Sequence, residues 1–184
     1  IVDHDDVEMS NLNRQIIHGE GTLGLPKVES AVKRLKDLNS TIDLIPVKER
    51  ITRQTIGTLI ADVDVMVDGS DNYETRVVLN RAAIEYGLPW IYGGVQGFDG
   101  MVSVFNPKHA PCFECIFPKP DREPDKGIVG PAAGMIASIQ VMETIKQVLG
   151  VGSSLQGKLL RISGLDMRIH VTHLAANPDC HACV

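Results

Sequence analysis

Three things are scarce in this sequence: positive charge, long apolar runs and aromatic side chains. Its 18 Lys and Arg face 23 Asp and Glu, for a net charge of −5. Binding to nucleic acid or to an anionic membrane is therefore not expected as a bulk property, although a local basic pocket is compatible with that balance. The most apolar stretch, Ile128 to Met142, is broken by Ser138 and Gln140. It falls short of the roughly 20 residues that a bilayer-spanning helix needs, so no transmembrane segment is expected. No secretory leader pattern opens the chain, and the expected compartment is the cytoplasm. Internal repeats and flexible linkers are absent too. Aromatics make up only 4% of the 184 residues, yet the apolar share of 43% is enough for a single core. One domain over 1–184 is the expectation.

A usable dinucleotide fingerprint is also missing. GxGxxG occurs at Gly19-Glu20-Gly21-Thr22-Leu23-Gly24, but the polar, irregular stretch before it supplies no strand, and the mechanism requires one. The chain opens on Ile1-Val2-Asp3, which reads as the end of a buried strand. The expectation is that a preceding strand, glycine turn and helix belong to the fold.

Short β-branched runs alternate with helical stripes. Val28, Ala31, Val32, Leu35 and Leu38 mark a helix over Pro26–Leu38. Leu44–Val47 reads as an edge strand, Thr52–Ala61 as a short helix capped by Thr52, and Val63–Asp68 as a strand. A helix over Asn72–Tyr86 turns Val77, Val78, Ala82 and Ala83 to the core and stops at Gly87. Strands at Pro89–Tyr92 and Met101–Phe105 precede a helix over Ala133–Leu149, with Ile136, Ile139, Met142, Ile145 and Leu149 on one stripe. Two further strands, Leu159–Ile162 and Ile169–Leu174, end the chain. The expected architecture is α/β: a Rossmann-like, doubly wound, mostly parallel sheet with antiparallel C-terminal strands.

All four cysteines lie in two CxxC pairs, Cys112/Cys115 and Cys180/Cys183. Two such turns complete a tetrahedral four-thiolate site, so a structural zinc is expected, closed to catalysis and stapling the C-terminal tail to the loop after Met101–Phe105. Disulfides weigh less without a secretory signal, and a redox pair would need only one CxxC. His181 is read as a solvated neighbour.

Asp3, at a strand end, suits the acidic residue that accepts hydrogen bonds from ribose hydroxyls. Arg14 offers a fork for phosphate and Lys27 a point charge. Asp71, where the Val63–Asp68 strand opens, could hold a phosphate-bound Mg²⁺. Each alone reads equally as a solvated surface charge.

The run Asp3-His4-Asp5-Asp6-Val7-Glu8-Met9-Ser10-Asn11-Leu12-Asn13-Arg14-Gln15 resembles the D-x-D-x-V-x-x-S-N-L-x-R-Q signature of the ubiquitin-activating-like ThiF/MoeB/HesA family. The resemblance continues in Gly24-Leu25-Pro26-Lys27, in Asp68-Gly69-Ser70-Asp71-Asn72, in Arg76 with Asn80, and in both CxxC pairs. It implies an adenylyltransferase using ATP·Mg²⁺ and the C-terminal Gly-Gly of a ubiquitin-like sulfur-carrier protein, serving sulfur transfer in cofactor biosynthesis. By this likeness Asp3 holds the ribose and Ser10, Asn11, Leu12, Asn13 and Arg14 line the nucleotide. Lys27 neutralises phosphate, Asp71 binds Mg²⁺ and Asn72 flanks it. A homodimer is implied as well, with the Ala133–Leu149 helix contributing to its interface. Two departures stand out. The family's glycine loop is not in this chain, and Pro120–Pro131 carries no cysteine where many relatives place one for thioester or persulfide chemistry. The competing readings are a silent zinc-stapled scaffold that binds a ubiquitin-like partner, and a nicotinamide-dependent oxidoreductase. The latter gives no task to Arg14, Lys27 or Asp71.

Overall fold

In the computed structural model, residues 1–106, 111–118 and 127–183 are described. They form two compact units, Ile1–Thr55 and Ile56–Val184.

In the first unit the expected opening strand is reduced to one parallel bridge, Val2 to Val47. Pro46 has no N–H to donate, which keeps its segment to that single bridge. The polar stretch that follows is turns, with 3₁₀ segments at Met9–Asn11 and Glu20–Thr22. The GxGxxG run therefore lies in a turn, consistent with rejecting it as a fingerprint. A second bridge, Asp6 to Pro26, leads into helix α1, Lys27–Leu38. Val28 and Ala31 are buried on α1, with Ser30 between them. Leu38 is exposed, unlike the expected stripe.

The second unit begins with a one-turn helix, α2 (Ile56–Leu59), shorter than the expected Thr52–Ala61. Strand β1 (Met66–Val67) leads to α3 (Tyr73–Tyr86), β2 (Trp90–Gln96) and β3 (Asp99–Phe105). Then come the short α4 (Phe113–Ile116), the long α5 (Gly130–Leu149), β4 (Lys158–Ser163) and β5 (Arg168–His173). The five strands form one sheet in sequence order. Pairing is parallel at β1–β2 and antiparallel from β2 through β5. The fold is thus α/β with antiparallel C-terminal strands, and in this sheet the parallel share is one pair. Among the described residues no helix is long and apolar enough to cross a membrane.

Helix α5 covers the sheet. Ile136 joins Ile91, Val102, Val104, Leu155 and Ile162 in the core, with Ile139 packed against it. The approach is close because Gly93 and Gly100 carry no Cβ: one at Gly93 would run into the Gln140 amide, and one at Gly100 into Ile136. The expected stripe continues differently. Met142, Ile145 and Leu149 are exposed, while the buried line runs Ile136, Gln140, Glu143. Both polar residues are satisfied inside: Gln140 bonds two carbonyls, and Glu143 accepts the Leu155 N–H at 2.9 Å and the Lys146 ammonium.

Candidate functional site

In the first unit the charged candidates line a short ribbon. The Asp5 N–H donates to Asp3 Oδ1 at 2.9 Å, which fixes the two carboxylates relative to each other. Lys27 opens α1, and its N–H donates to Asp5 O at 3.0 Å. Its ammonium donates to Asp5 Oδ2 at 2.9 Å and stands 3.9 Å from Asp3 Oδ2. The Lys27 side chain is only 12% exposed. It is a positioned cation with little water around it, and its hydrogen bond holds the Asp5 carboxyl below the usual range. The structure therefore brings Asp3 and Lys27 together and adds Asp5, to which the sequence reading gave no task.

Arg14 belongs to the turn that follows in sequence. The buried Asn11 accepts the Glu8 N–H at 3.3 Å and so pins the Met9–Asn11 turn. Leu12 closes it, its N–H donating to Met9 O at 3.2 Å. Arg14 Nη1 donates to Asn13 Oδ1 at 3.0 Å and to Ser10 O at 3.3 Å, while Ser10 Oγ donates to Glu8 Oε2 at 3.3 Å. The guanidinium is folded onto its own turn. Next to it, the Gln15 Oε1 acceptor is buried with no hydrogen-bond partner among the described residues. An orphaned buried acceptor costs free energy. In this unit the contacts among the described residues join the Lys27 ammonium to the Asp3 and Asp5 carboxylates, while the Arg14 guanidinium bonds only its own turn.

In the second unit the Asp68–Ser70 turn at the end of β1 is built around a buried charge. Asp68 accepts from Ser70 N at 2.8 Å, Ser70 Oγ at 2.6 Å and Arg76 Nε at 3.2 Å. Its side chain is fully inaccessible. Burial raises the Asp68 carboxyl, against the pull of Arg76 and Ser70. Arg76 Nη2 also donates to Ser70 O at 2.7 Å and Gly93 O at 3.1 Å, and its guanidinium lies 5.1 Å from the Tyr92 ring centroid. Gln140 Nε2 closes the turn from α5, donating to Asp68 O at 2.8 Å and Ile91 O at 3.1 Å. Three elements thereby fix the backbone that presents Asp71, which is exposed. Asn72 Oδ1 accepts the Thr75 N–H at 2.9 Å as the N-cap of α3, and its Nδ2 donates to Asp71 Oδ1 at 3.3 Å. The cap occupies one Asn72 oxygen and leaves its amide on the Asp71 carboxylate. Sequence reading used Asp68 and Arg76 only as motif letters. The available signal was an acid ending an apolar strand with an arginine on the helix after it.

The four cysteines meet. Cys112 Sγ lies 3.8 Å from Cys115 Sγ and 3.7 Å from Cys180 Sγ, and Cys115 Sγ lies 3.4 Å from Cys183 Sγ. All four sulfurs fall within 4.8 Å of one another. A zinc–sulfur bond of about 2.3 Å puts tetrahedral sulfurs about 3.8 Å apart, whereas a disulfide needs about 2.05 Å. The cluster fits zinc and does not fit disulfides. Burial raises Cys112. At Cys180 burial pushes up too, but the Ala182 and Cys183 amides and the neighbouring thiols outweigh it and bring the thiol to about 7. His181 is exposed, as expected of a bystander. Of Pro120–Pro131, where many relatives were expected to place a cysteine, residues 120–126 lie outside the described residues.

Residues 1–182 match the ThiF family, and the chain belongs to it. It is 36% identical over 189 residues to the SAMP-activating enzyme E1 of Haloferax volcanii, covering all of this chain and 70% of that protein. It is 36% identical over 190 residues to the adenylyltransferase and sulfurtransferase MOCS3 of Culex quinquefasciatus, covering all of this chain and 43% of that one. A structure of E. coli MccB with ATP superposes with a TM-score of 0.86 at 20% identity, over 99% of this chain and 58% of the other, a likeness of fold alone. The chain thus spans less than half of the MOCS3 relative and over half of MccB. Its relatives include proteins named as adenylyltransferases.

Proposed function

We propose that this chain adenylates the C-terminal carboxylate of a ubiquitin-like sulfur-carrier protein ending in Gly-Gly. The observation that carries the reading is the whole-chain likeness to a protein named as an E1 activating enzyme, over 70% of that protein's length. In this reading a carrier carboxylate oxygen attacks the α-phosphorus of ATP. The bond from that phosphorus to the bridging oxygen breaks, pyrophosphate leaves, and the carrier ends as an acyl-adenylate.

Two anions must meet, so the chain's work is to neutralise and to position. Lys27 supplies a poorly hydrated ammonium and Arg14 a guanidinium for the phosphates. Asp3 accepts from the ribose hydroxyls, with Ser10, Asn11, Leu12 and Asn13 shaping the nucleotide side. Asp71, steadied by Asn72, would hold Mg²⁺, which would offset phosphate charge. Cys112, Cys115, Cys180 and Cys183 would hold zinc with all four positions taken, and its part would be to hold the tail. The same reading includes a homodimer, supported by the exposed apolar side chains Val141, Met142, Ile145, Val148 and Leu149 of α5. It also includes a cytoplasmic setting, one domain over 1–184, and delivery of the activated carrier to sulfur transfer.

The test is carrier-dependent exchange of labelled pyrophosphate into ATP by the intact protein. Exchange is expected for the parent and its loss for Arg14→Ala, Lys27→Ala and Asp71→Asn. Full exchange in any of these variants removes that residue's role, and none in the parent removes the reading.

A further inference from the structure

Helix α3 carries two polar residues one turn apart, Arg76 and Asn80. Arg76 serves the Asp68 turn. Asn80 is 1% exposed and needs partners for its whole amide. Among the described residues, all of them lie on the first cysteine knuckle. Asn80 Oδ1 accepts the Phe113 N–H at 3.0 Å, at the start of α4. Its Nδ2 donates to Glu114 Oε1 at 3.0 Å and stands 3.6 Å from Cys112 Sγ, within reach of an N–H···S bond. Arg81 completes the arrangement with a fork on the same carboxylate, Nε to Oε1 at 3.2 Å and Nη2 to Oε2 at 3.1 Å.

We propose that Asn80 is a positioning residue of the four-sulfur centre, whose side-chain amide donates to Cys112 Sγ and sets the knuckle to receive zinc. The proposal rests on the zinc reading above and is independent of adenylation. An asparagine that merely tied down a loop would need only the Phe113 and Glu114 contacts. The donor aimed at sulfur is what distinguishes this one. A thiolate bound to zinc keeps excess negative charge, and four of them leave the centre dianionic. An N–H directed at one sulfur offsets that charge and orients the lone pairs, and such supporting contacts are worth about 10–100-fold in metal affinity. Through Asn80 and Arg81 the metal knuckle is tied to α3, the helix that Asn72 caps.

The experiment loads the intact protein with metal in the absence of nucleotide. Elemental analysis first establishes one zinc per chain. Asn80→Asp keeps the shape and the acceptor for the Phe113 N–H but turns a carboxylate oxygen toward Cys112 and Glu114. It should bind zinc about 10–100-fold more weakly in competition with a chromophoric chelator, and its cobalt form should show shifted sulfur-to-metal charge-transfer bands. A folded variant with parental affinity and spectrum overturns the proposal. If the variant does not fold, the parent decides: loaded with ¹¹³Cd, it should show scalar coupling between the metal and an Asn80 side-chain amide proton. Absence of that coupling in a metal-loaded parent overturns this proposal alone, whereas a parent without zinc overturns the zinc reading with it.

Discussion

Replacing Arg76 by methionine strips a buried carboxylate of its counter-charge while keeping much of the side-chain volume. Asp68 has no accessible side-chain surface. With Arg76 gone it keeps the two Ser70 hydrogen bonds and loses the 3.2 Å contact from Nε. Breaking one partner of a buried pair costs about 3–5 kcal/mol, because the remaining charge stays desolvated. The loss of Arg76 donors to Ser70 O and Gly93 O adds to this where water cannot reach them. The sign with pH follows from the carboxyl itself. Burial already raises Asp68 above its usual 3.8 despite Arg76, and removing the cation raises it further. A raised folded-state carboxyl contributes stability that is fully present below about 3.8 and is lost as pH rises through the folded value. Arg76→Met should therefore lose about 3–5 kcal/mol at pH 7 and distinctly less at pH 5. Urea unfolding at both pH values, with unchanged m, measures it. A loss under about 1 kcal/mol, or an equal loss at the two pH values, would refute the reasoning.

Two further outcomes separate site from scaffold. Lys27→Ala should abolish pyrophosphate exchange yet change stability by less than about 1 kcal/mol, since its partner Asp5 is half exposed. Because Lys27 holds Asp5 low, the small contribution is present above about pH 4 and disappears as pH falls, which urea titrations at pH 3 and 7 would check. Gly93→Ala should drive a methyl into the Gln140 amide and break its bonds to Asp68 O and Ile91 O. The expected cost is about 1–3 kcal/mol in the same assay, and an unaffected midpoint would show that α5 can shift freely.

What the sequence revealed depended on how local the cause was. Helix α3 was readable at both ends, because Asn72 caps it through Thr75 and Gly87 turns left-handed at φ 71°. The cysteine knuckles were readable because spacing alone brings the members of each pair together. The short helix was overextended: the Thr52 and Thr55 hydroxyls and amides bond each other in a turn, and regular helix begins only at Ile56. On α5 the apolar stripe misled, since Gln140 and Glu143 take core positions by bonding backbone far away in sequence. The tasks of Asp68, Arg76 and Asn80 were hidden for the same reason. Their partners Gly93, Tyr92 and Phe113 come from other elements, and no periodicity reports such pairings.

The central claim is a chemical one, and mass spectrometry of the carrier addresses it directly. When the intact protein is incubated with ATP, Mg²⁺ and a carrier ending in Gly-Gly, the carrier should gain one adenylyl group and lose it again on addition of pyrophosphate. A carrier that binds the protein yet keeps its original mass under these conditions would contradict the account.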